Sequence, residues 1–401
     1  MPVYWIWFAE IKGISLFVKR QLLCRFRDPE EIYLAQEKAF SKEVAEALQE
    51  KDLTEAMAIY QQCTKQGIGI LTYADEAYPE ALRNIEDPPV VLYFKGKLPD
   101  WRAQPLIGVV GTRKASTYGL QTAHLLSSQI AACGGLVVSG AATGIDAYAM
   151  EGALDAGKPA VGVLGGGVDV VYPAKNRSLY RRTEENGCLI SEYPPGHRPY
   201  PWNFLHRNRI ISGLSDGVLV VEAPERSGAL NTARHAFSQG RDLFVAPGNL
   251  GVDTCLGSNA LLQEGAYAAL SGWDVVKHYA PLYPDTVANR PVNLQRIGQI
   301  PPKKVAEETA LPEKGDKKNH GNPENAIDNW EESTYSVINK PPVSLSDQEN
   351  AVLALLSDTP QLPDSVMDAT DLPSGTVQST LTRLAIKGLV HHHPDGRISR
   401  K

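Results

Sequence analysis

The chain has 401 residues, of which 43% are hydrophobic and 21% charged, so we expect a globular protein of two or three domains. A net charge of −6 argues against a surface coated in positive charge, and the longest apolar runs are too short to cross a bilayer. Residues 1–8 do not resemble a signal peptide, and the five cysteines are scattered without a Cys-x-x-Cys pair. These features predict a cytoplasmic protein with no membrane segment, disulfide framework or metal site.

The first 70 residues predict a small helical module. Apolar residues recur at helical spacing within residues 43–51 and 53–66, and the second stretch ends at Gly67. Residues 12–15, followed by 21–23, faintly resemble a helix-hairpin-helix, which holds DNA phosphates with backbone amides, but the usual second glycine is missing. We therefore interpret residues 1–70 as a SAM-like or helix-hairpin-helix-like module that contacts protein in preference to DNA.

Residues 71–280 carry the pattern of an open parallel sheet. The predicted strands lie at residues 106–111, 136–139, 160–164, 187–191, 217–221 and 243–246. The first three strands end in glycine-rich turns, helix-like segments follow the first two, and residues 70–104 add extended segments in front. Strand, glycine turn and helix in repetition predict an α/β fold with an extended Rossmann-like, mostly parallel sheet.

Ligands of such sheets collect at the carboxyl ends of the strands, where turns without side chains leave N–H groups open to an anion. The first turn carries Gly111, Arg113 and Lys114, and an arginine at such a turn can hold a phosphate with two hydrogen bonds. Ser116 stands at the start of the next helix, where its hydroxyl either caps the helix or touches the ligand. These residues predict a ligand that carries phosphate.

The second and third turns extend the same edge of the sheet. The predicted binding residues on these two turns are Ser139, Gly140, Gly144, Lys175 and Asn176. Asp146 follows the second turn, and we interpret it as a helix cap in preference to a group that orients an attacking nucleophile.

A later helical segment, residues 204–213, contains Arg207, Asn208 and Arg209. Two arginines that flank an asparagine suit a sugar–phosphate chain better than one small anion. The alternative is that the arginines brace the fold by pairing with Glu192 or Glu222. Within residues 105–250, 13 Lys and Arg stand against 11 Asp and Glu, so a nucleic-acid site there would be a local groove.

The composition changes after residue 280. Residues 281–343 are rich in Pro, Asn, Lys and Glu without an apolar period, and we expect a disordered linker. Residues 344–401 predict three helices and a hairpin, opened by a capping box at 346–349, which is the order of a winged helix-turn-helix domain. Its third helix, near 376–384, carries few cations, so we favour a protein-contact or regulatory role over DNA reading.

Catalytic motifs are missing from the sequence. It contains no nucleophile elbow, no H-E-x-x-H motif, no P-loop lysine and no complete G-x-G-x-x-G at a first strand. The sequence therefore predicts a binding protein with no catalytic residue, no metal and no cofactor.

Seven motifs, in order, resemble those of the DNA-processing protein A family (DprA, also called Smf). They lie at residues 111–119, 139–146, 172–176, 191–196, 204–215, 227–233, and 247–248 with 257–259. The resemblance covers residues 70–275, and some members of that family also carry a helical front module and a winged-helix tail.

The resemblance implies a Rossmann-type domain that binds single-stranded DNA and forms homodimers. It also implies that the protein protects incoming DNA and loads the RecA recombinase onto it during natural transformation. The DNA pocket of the family falls on Arg113, Ser116, Ser139, Gly140, Lys175, Asn176, Arg207 and Arg209. The alternative is an enzyme or sensor that acts on a nucleoside monophosphate, as phosphoribohydrolases do, although the chain lacks their Pro-Gly-Gly-x-Gly-Thr loop.

Overall fold

The computed structural model describes residues 1–49 and 51–290, and part of the segment 347–400. In that segment the described residues are 347–357, 359, 361, 363–370, 372, 377, 380, 381, 384, 390–392 and 397–400. Most of the predicted linker, residues 291–343, lies outside the described residues. The chain divides into two compact units, one within residues 1–332 and one within residues 333–401.

A nine-stranded sheet forms the centre of the first unit. Its strands are β1 (Gly69–Thr72), β2 (Val91–Gly96), β3 (Leu106–Val110), β4 (Leu136–Ser139), β5 (Ala160–Val163), β6 (Cys188–Ser191), β7 (Gly217–Val220), β8 (Asp242–Val245) and β9 (Tyr267–Ala268). The spatial order is β1-β2-β6-β5-β4-β3-β7-β8-β9. The strands from β6 to β9 in this order are parallel, while β2 pairs antiparallel with both β1 and β6. The predicted α/β class with a mostly parallel sheet is confirmed.

Thirteen helices surround the sheet in the described part of the first unit. They are α1 (Pro2–Glu10), α2 (Leu16–Phe26), α3 (Pro29–Leu34), α4 (Lys42–Ala47), α5 (Thr54–Gln66), α6 (Glu80–Arg83), α7 (Thr117–Ala132), α8 (Ile145–Asp155), α9 (Arg177–Asn186), α10 (Pro201–Leu214), α11 (Gly228–Ser238), α12 (Asp253–Gln263) and α13 (Gly272–Val276). Short 3-10 turns occupy Glu37–Ala39, Ala174–Asn176 and Lys277–Tyr279.

Strands β3 to β7 are buried along their whole length, which is typical of parallel strands covered on both faces. Ile107 and Val109 of β3 pack in one cluster with residues of α7 and α8. Leu106 and Val110, which point to the other face, pack with residues of α10 and α11. Full burial of one such side chain contributes roughly 1.5–3 kcal/mol, so this double covering is a main source of the sheet's stability.

The connections between the strands indicate where on the sheet a ligand would bind. From β3 the chain runs through β4 and β5 to β6 on one side, and then crosses back to β7 on the other side of β3. The strand order therefore reverses between β3 and β7. In open α/β sheets ligands bind at such a switch point, outside the carboxyl ends of the strands.

The N-terminal helices share a hydrophobic core with the sheet. In α1, four consecutive residues from Trp5 to Phe8 are buried, and they belong to the same cluster as Cys63 of α5 and Tyr93 of β2. A helix buried all round is typical of a core element. The predicted module of residues 1–70 is thus helical up to β1 and packs directly on the main domain.

The second unit contains α14 (Asp347–Ala354), α15 (Pro363–Asp368) and an antiparallel pair, β10 (Val390–His392) and β11 (Ile398–Arg400). Four helical residues lie between α15 and β10: Val377, Thr380, Leu381 and Leu384. Their spacing of one, three and four residues puts them on one face of a helix. The three leucine and valine side chains among them are buried in a common core with Val366. Ser346 of the predicted capping box and Arg383 of the predicted third helix lie outside the described residues.

Across the described ranges, no helix is both long and apolar enough to span a membrane. No cluster of three or more His, Cys, Asp or Glu side chains with metal-binding geometry occurs among those residues either.

Candidate nucleic-acid interface

The first glycine turn, after β3, is tied to the end of β7 by Glu222. The N–H of Thr112 donates to the carbonyl oxygen of Glu222 at 2.7 Å. Ser116 is the N-cap of α7: its hydroxyl accepts from the N–H of Gly119 at 3.0 Å. The same hydroxyl donates to one carboxylate oxygen of Glu222 at 2.5 Å, and the N–H of Ser116 donates to the other at 2.9 Å. The capping role expected for Ser116 is therefore present.

The Glu222 carboxylate fills the switch point between β3 and β7. Its side chain is buried, and a Cβ added at Gly119 would lie 2.4 Å from it, so glycine is needed there to admit the carboxylate. A carboxylate at a helix N-terminus is stabilised by the partial positive charge of that terminus. The chain thus supplies its own anion where a Rossmann fold ordinarily receives a phosphate.

The second turn contains another buried carboxylate, that of Asp146. It accepts hydrogen bonds from the N–H groups of Ala142 and Gly140, which are then not open to a ligand. Burial raises the pKa of Asp146, and the nearby guanidinium groups of Arg207 and Arg113 oppose that rise. The interpretation of Asp146 as a helix cap is wrong: α8 begins after Gly144 without a side-chain cap, and Asp146 bonds the turn before the helix.

Two predicted glycines let the turns pack backbone against backbone. A Cβ added at Gly111 would lie 2.4 Å from the side chain of Ile145. Gly144 has φ +78°, and a Cβ there would lie 2.4 Å from the carbonyl oxygen of Thr112. A side chain is excluded at Gly144 by both conformation and space.

Several predicted binding residues hold the loops together from inside. Arg207 is 3% exposed, and its Nη1 donates to the carbonyl oxygens of Gly140, at 2.7 Å, and Val163. The hydroxyl of Ser139 donates to the carbonyl oxygen of Val109 at 2.7 Å. The amide of Asn176 donates to the carbonyl oxygens of residues 141 and 142 at 2.9 and 3.2 Å. Main-chain carbonyls thus occupy the Ser139 hydroxyl, the Asn176 amide and Nη1 of Arg207, while Nε of Arg207 is buried without a hydrogen-bond partner. That these side chains contact a ligand stays a prediction.

Arg209 follows the bracing alternative. It is 1% exposed, and its Nη2 donates to both carboxylate oxygens of Glu192 at 2.8 and 2.9 Å. Its Nε donates to Asp87 at 2.9 Å. Two acids thus surround Arg209, and its predicted contact with a ligand stays a prediction. Asn208 is buried as well, and its amide donates to the carbonyl oxygen of Gly228 at 3.2 Å.

Two of the remaining predicted residues, Arg113 and Lys175, border a small cavity of about 60 Å³. Its lining consists of Arg113, Ala142, Thr143, Tyr172, Pro173, Lys175 and Phe204. The guanidinium of Arg113 lies over the ring of Phe204, 4.7 Å from its centroid, and the Tyr172 ring lies 5.6 Å from the same ring. Lys175, and Lys114 on the first turn, are exposed. This part of the carboxyl edge therefore combines cations with aromatic rings.

Sequence reasoning missed three exposed arginines on the same edge. Arg177 opens α9 after β5, Arg198 lies between β6 and α10, and Arg226 lies between β7 and α11. Each of them follows the carboxyl end of a parallel strand, and that position is the signal that could have found them. Together with Lys114 and Lys175 they make five exposed cations on these loops, where the exposed Glu225 stands beside Arg226.

Comparisons with known proteins agree with this architecture. The family model described as DNA recombination-mediator protein A matches residues 69–280, and that of the DprA winged helix domain matches residues 339–396. The chain belongs to the DprA family. The resemblance stated from the seven motifs is confirmed, and so is the winged-helix character of the tail.

Relatives of the family resemble the chain over much of its length. Protein Smf of Synechocystis sp. (strain PCC 6803) is 30% identical over 99% of this chain and 98% of its own length. The DNA processing protein DprA of Bacillus subtilis (strain 168) is 40% identical over 56% of this chain and 74% of its own. The X-ray structure of DNA processing protein A from Streptococcus pneumoniae has a TM-score of 0.59 at 32% identity, covering 69% of this chain and 98% of that one.

Proposed function

We propose that the protein binds single-stranded DNA along the carboxyl edge of its sheet and breaks no bond in it. The observation that carries the proposal is the group of cations on that edge, with Arg113 and Lys175 lining the small cavity and Lys114 exposed on the first turn. Cationic side chains that neutralise phosphates supply most sequence-independent affinity for nucleic acid. The ring of Tyr172, which is supported by the buried ring of Phe204, adds a surface on which an unpaired base can stack.

The built-in carboxylates favour a polynucleotide over a single enclosed nucleotide. Glu222 and Asp146 accept the hydrogen bonds that a phosphate would otherwise receive at the first two turns. The cavity beside Arg113 measures about 60 Å³, whereas pockets that enclose a small molecule measure roughly 300–1,000 Å³. The alternative function, a nucleotide-cleaving enzyme or sensor, therefore has less support than the binding of a DNA strand across this edge.

The predicted site divides into two groups under this proposal. Arg113, Lys114 and Lys175 contact the strand, and the glycine turns at Gly111 and Gly144 keep the backbone close to it. The second group lies below those turns. Ser116, Ser139, Gly140, Asn176 and Arg207 position the turns, whereas Asn208 and Arg209 brace α10 through Gly228, Glu192 and Asp87.

Membership of a DNA recombination-mediator family supports the wider role. We propose that a homodimer in the cytoplasm protects incoming single strands and loads RecA onto them during natural transformation. Two tethered edges on one strand would raise the avidity of the dimer over that of one edge. The rate at which RecA filaments grow on single-stranded DNA, with and without the protein, tests the loading step.

The binding proposal is tested by gel shift of the full-length protein with a single-stranded oligonucleotide and with its duplex. We expect tighter binding to the single strand, and a loss of more than about tenfold for Arg113→Ala, with a flatter dependence on salt. If Arg113→Ala binds the single strand as tightly as the parent, the assignment of the DNA-binding site to this cavity is wrong. Release of free base from AMP or CMP by the purified protein would favour the enzyme instead.

A further inference from the structure

Four aromatic rings form a continuous row between β6 and the first turn of α10. We call this row the aromatic ledge: Tyr193, His197, Tyr200 and Trp202. The rings of Tyr193 and His197 are stacked with centroids 4.7 Å apart, and those of Tyr200 and Trp202 are parallel within 3° at 4.8 Å. His197 joins the two pairs through an edge contact with Tyr200 at 5.9 Å.

The outer pair of the ledge is open to solvent. Tyr200 is 41% exposed and Trp202 is 53% exposed, although each is a large ring that a folded chain ordinarily buries. A single exposed apolar residue needs no explanation, but rings grouped into one exposed patch are typical of a binding surface. The inner pair, Tyr193 and His197, is partly buried and supports the outer one.

The ledge is anchored to the proposed DNA-binding edge. The N–H of Gly167, on the third glycine turn, donates to the carbonyl oxygen of His197 at 3.0 Å. The amide of Asn203 donates to the carbonyl oxygen of Gly165, on the same turn, at 2.9 Å. Trp202 and Phe204, which lines the cavity beneath Arg113, lie two positions apart in the first turn of α10, so their side chains point to different sides of the helix. The ledge is therefore joined to the carboxyl edge through the third glycine turn.

We propose that the aromatic ledge is a base-stacking platform for the nucleotides that continue the strand held at Arg113 and Lys175. This inference rests on the proposed function and extends it by a second contact region. Bases of any sequence stack on aromatic rings, and the exposed guanidinium of Arg198, within the same segment, supplies charge for the phosphates between them. Continuity with the cationic edge favours a nucleic-acid strand over a polypeptide as the occupant.

The test compares two probes of equal length: an oligothymidylate and an abasic oligonucleotide that retains the sugar–phosphate chain. Trp202→Ala is expected to bind the oligothymidylate about tenfold more weakly, because one stacked base is lost. The same variant should bind the abasic probe like the parent, with an unchanged salt dependence, since no phosphate contact is removed. Trp202→Phe should recover most of the affinity, because it keeps a ring.

Phe237→Ala is the matched control. Phe237 is 83% exposed near the end of α11, at the opposite edge of the sheet. Its replacement should therefore change the affinity for neither the oligothymidylate nor the abasic probe. A second readout is tryptophan fluorescence: quenching by oligothymidylate should fall in Trp202→Phe, which still binds.

The outcomes separate this inference from the proposed function. If Trp202→Ala binds oligothymidylate like the parent, the ledge is not a stacking platform, and the proposal that the cationic edge binds DNA is unaffected. An equal loss on both probes also overturns it, because it shows an effect that does not depend on bases. If the parent binds neither probe, the ledge and the proposed function fail together.

Discussion

Ser116 donates its hydroxyl to one oxygen of the buried Glu222 carboxylate and its backbone N–H to the other, at 2.5 and 2.9 Å. The pair closes the crevice where the strand order reverses, between β3 and β7. A Rossmann fold commonly places the phosphates of a nucleotide at such a crevice. Under the proposed function the ligand lies farther out, over Arg113 and Lys175, where a long strand is accommodated more easily than a small cofactor.

The Ser116–Glu222 contact is expected to be a structural contact. Glu222→Ala leaves the partly buried donors of Ser116 without their partner, so we expect the free energy of unfolding to fall by about 1 kcal/mol. Because the two residues act on each other, the loss in Ser116→Ala combined with Glu222→Ala should be smaller than the sum of the single losses. Urea unfolding of the four proteins measures this coupling, and strictly additive losses would show that the contact contributes nothing.

The salt dependence of binding should identify which cations touch the strand. Lys175 follows β5 at the carboxyl edge, while Lys158 is an exposed lysine just before the same strand, at the amino edge. Lys175→Ala should reduce the log–log salt slope by about 0.7, the value for one phosphate on a single strand. Lys158→Ala should leave both slope and affinity unchanged. Identical slopes for the two variants would count against the carboxyl edge as the binding surface.

The sheet could be predicted from the sequence because its signals are local. The strand predicted at 136–139 coincides with β4. The other five predicted strands in the main domain each begin and end within one residue of the observed bounds. Short runs of Val, Leu, Ile and small residues between glycine turns are sufficient to indicate strands buried on both faces. The motifs that resemble those of the DprA family include these same turns.

The site could be predicted only in part, because residue type does not reveal burial. Arg113 and Arg209 both look like phosphate ligands in the sequence, but Arg209 meets Asp87, which lies 122 positions away. Contacts of such separation have no local signal. The role of Arg207 has no local signal either, since the carbonyl groups that it binds, of Gly140 and Val163, lie 67 and 44 positions earlier.

Arg209→Met is expected to affect folding and to leave DNA affinity unchanged. Loss of the guanidinium leaves the carboxylate of Glu192, which is 15% exposed, without its bidentate partner. Breaking a buried ion pair in this way costs about 3–5 kcal/mol. Urea unfolding should show that loss, whereas the folded fraction should bind single-stranded DNA with the parent salt slope. A flatter slope would show that Arg209 reaches the strand after all.

The same ion pair predicts how stability depends on acidity. Burial opposes ionisation of Glu192, but Arg209 and His206 outweigh it and lower the pKa of this carboxyl from 4.5 to about 2. Between these values the unfolded state binds more protons than the folded state, so the free energy of unfolding falls as the pH is lowered from about 4.5 to 2. Above pH 4.5 the contribution is fully present.

Glu192→Gln provides the control for that pH dependence. The amide keeps the shape of the side chain but does not titrate, so the variant should be less stable at neutral pH and should lose less stability than the parent on acidification. The difference between the two unfolding free energies should shrink as the pH falls through this window. Urea unfolding at a series of pH values measures it, and parallel curves for the two proteins would show that Glu192 does not carry the effect.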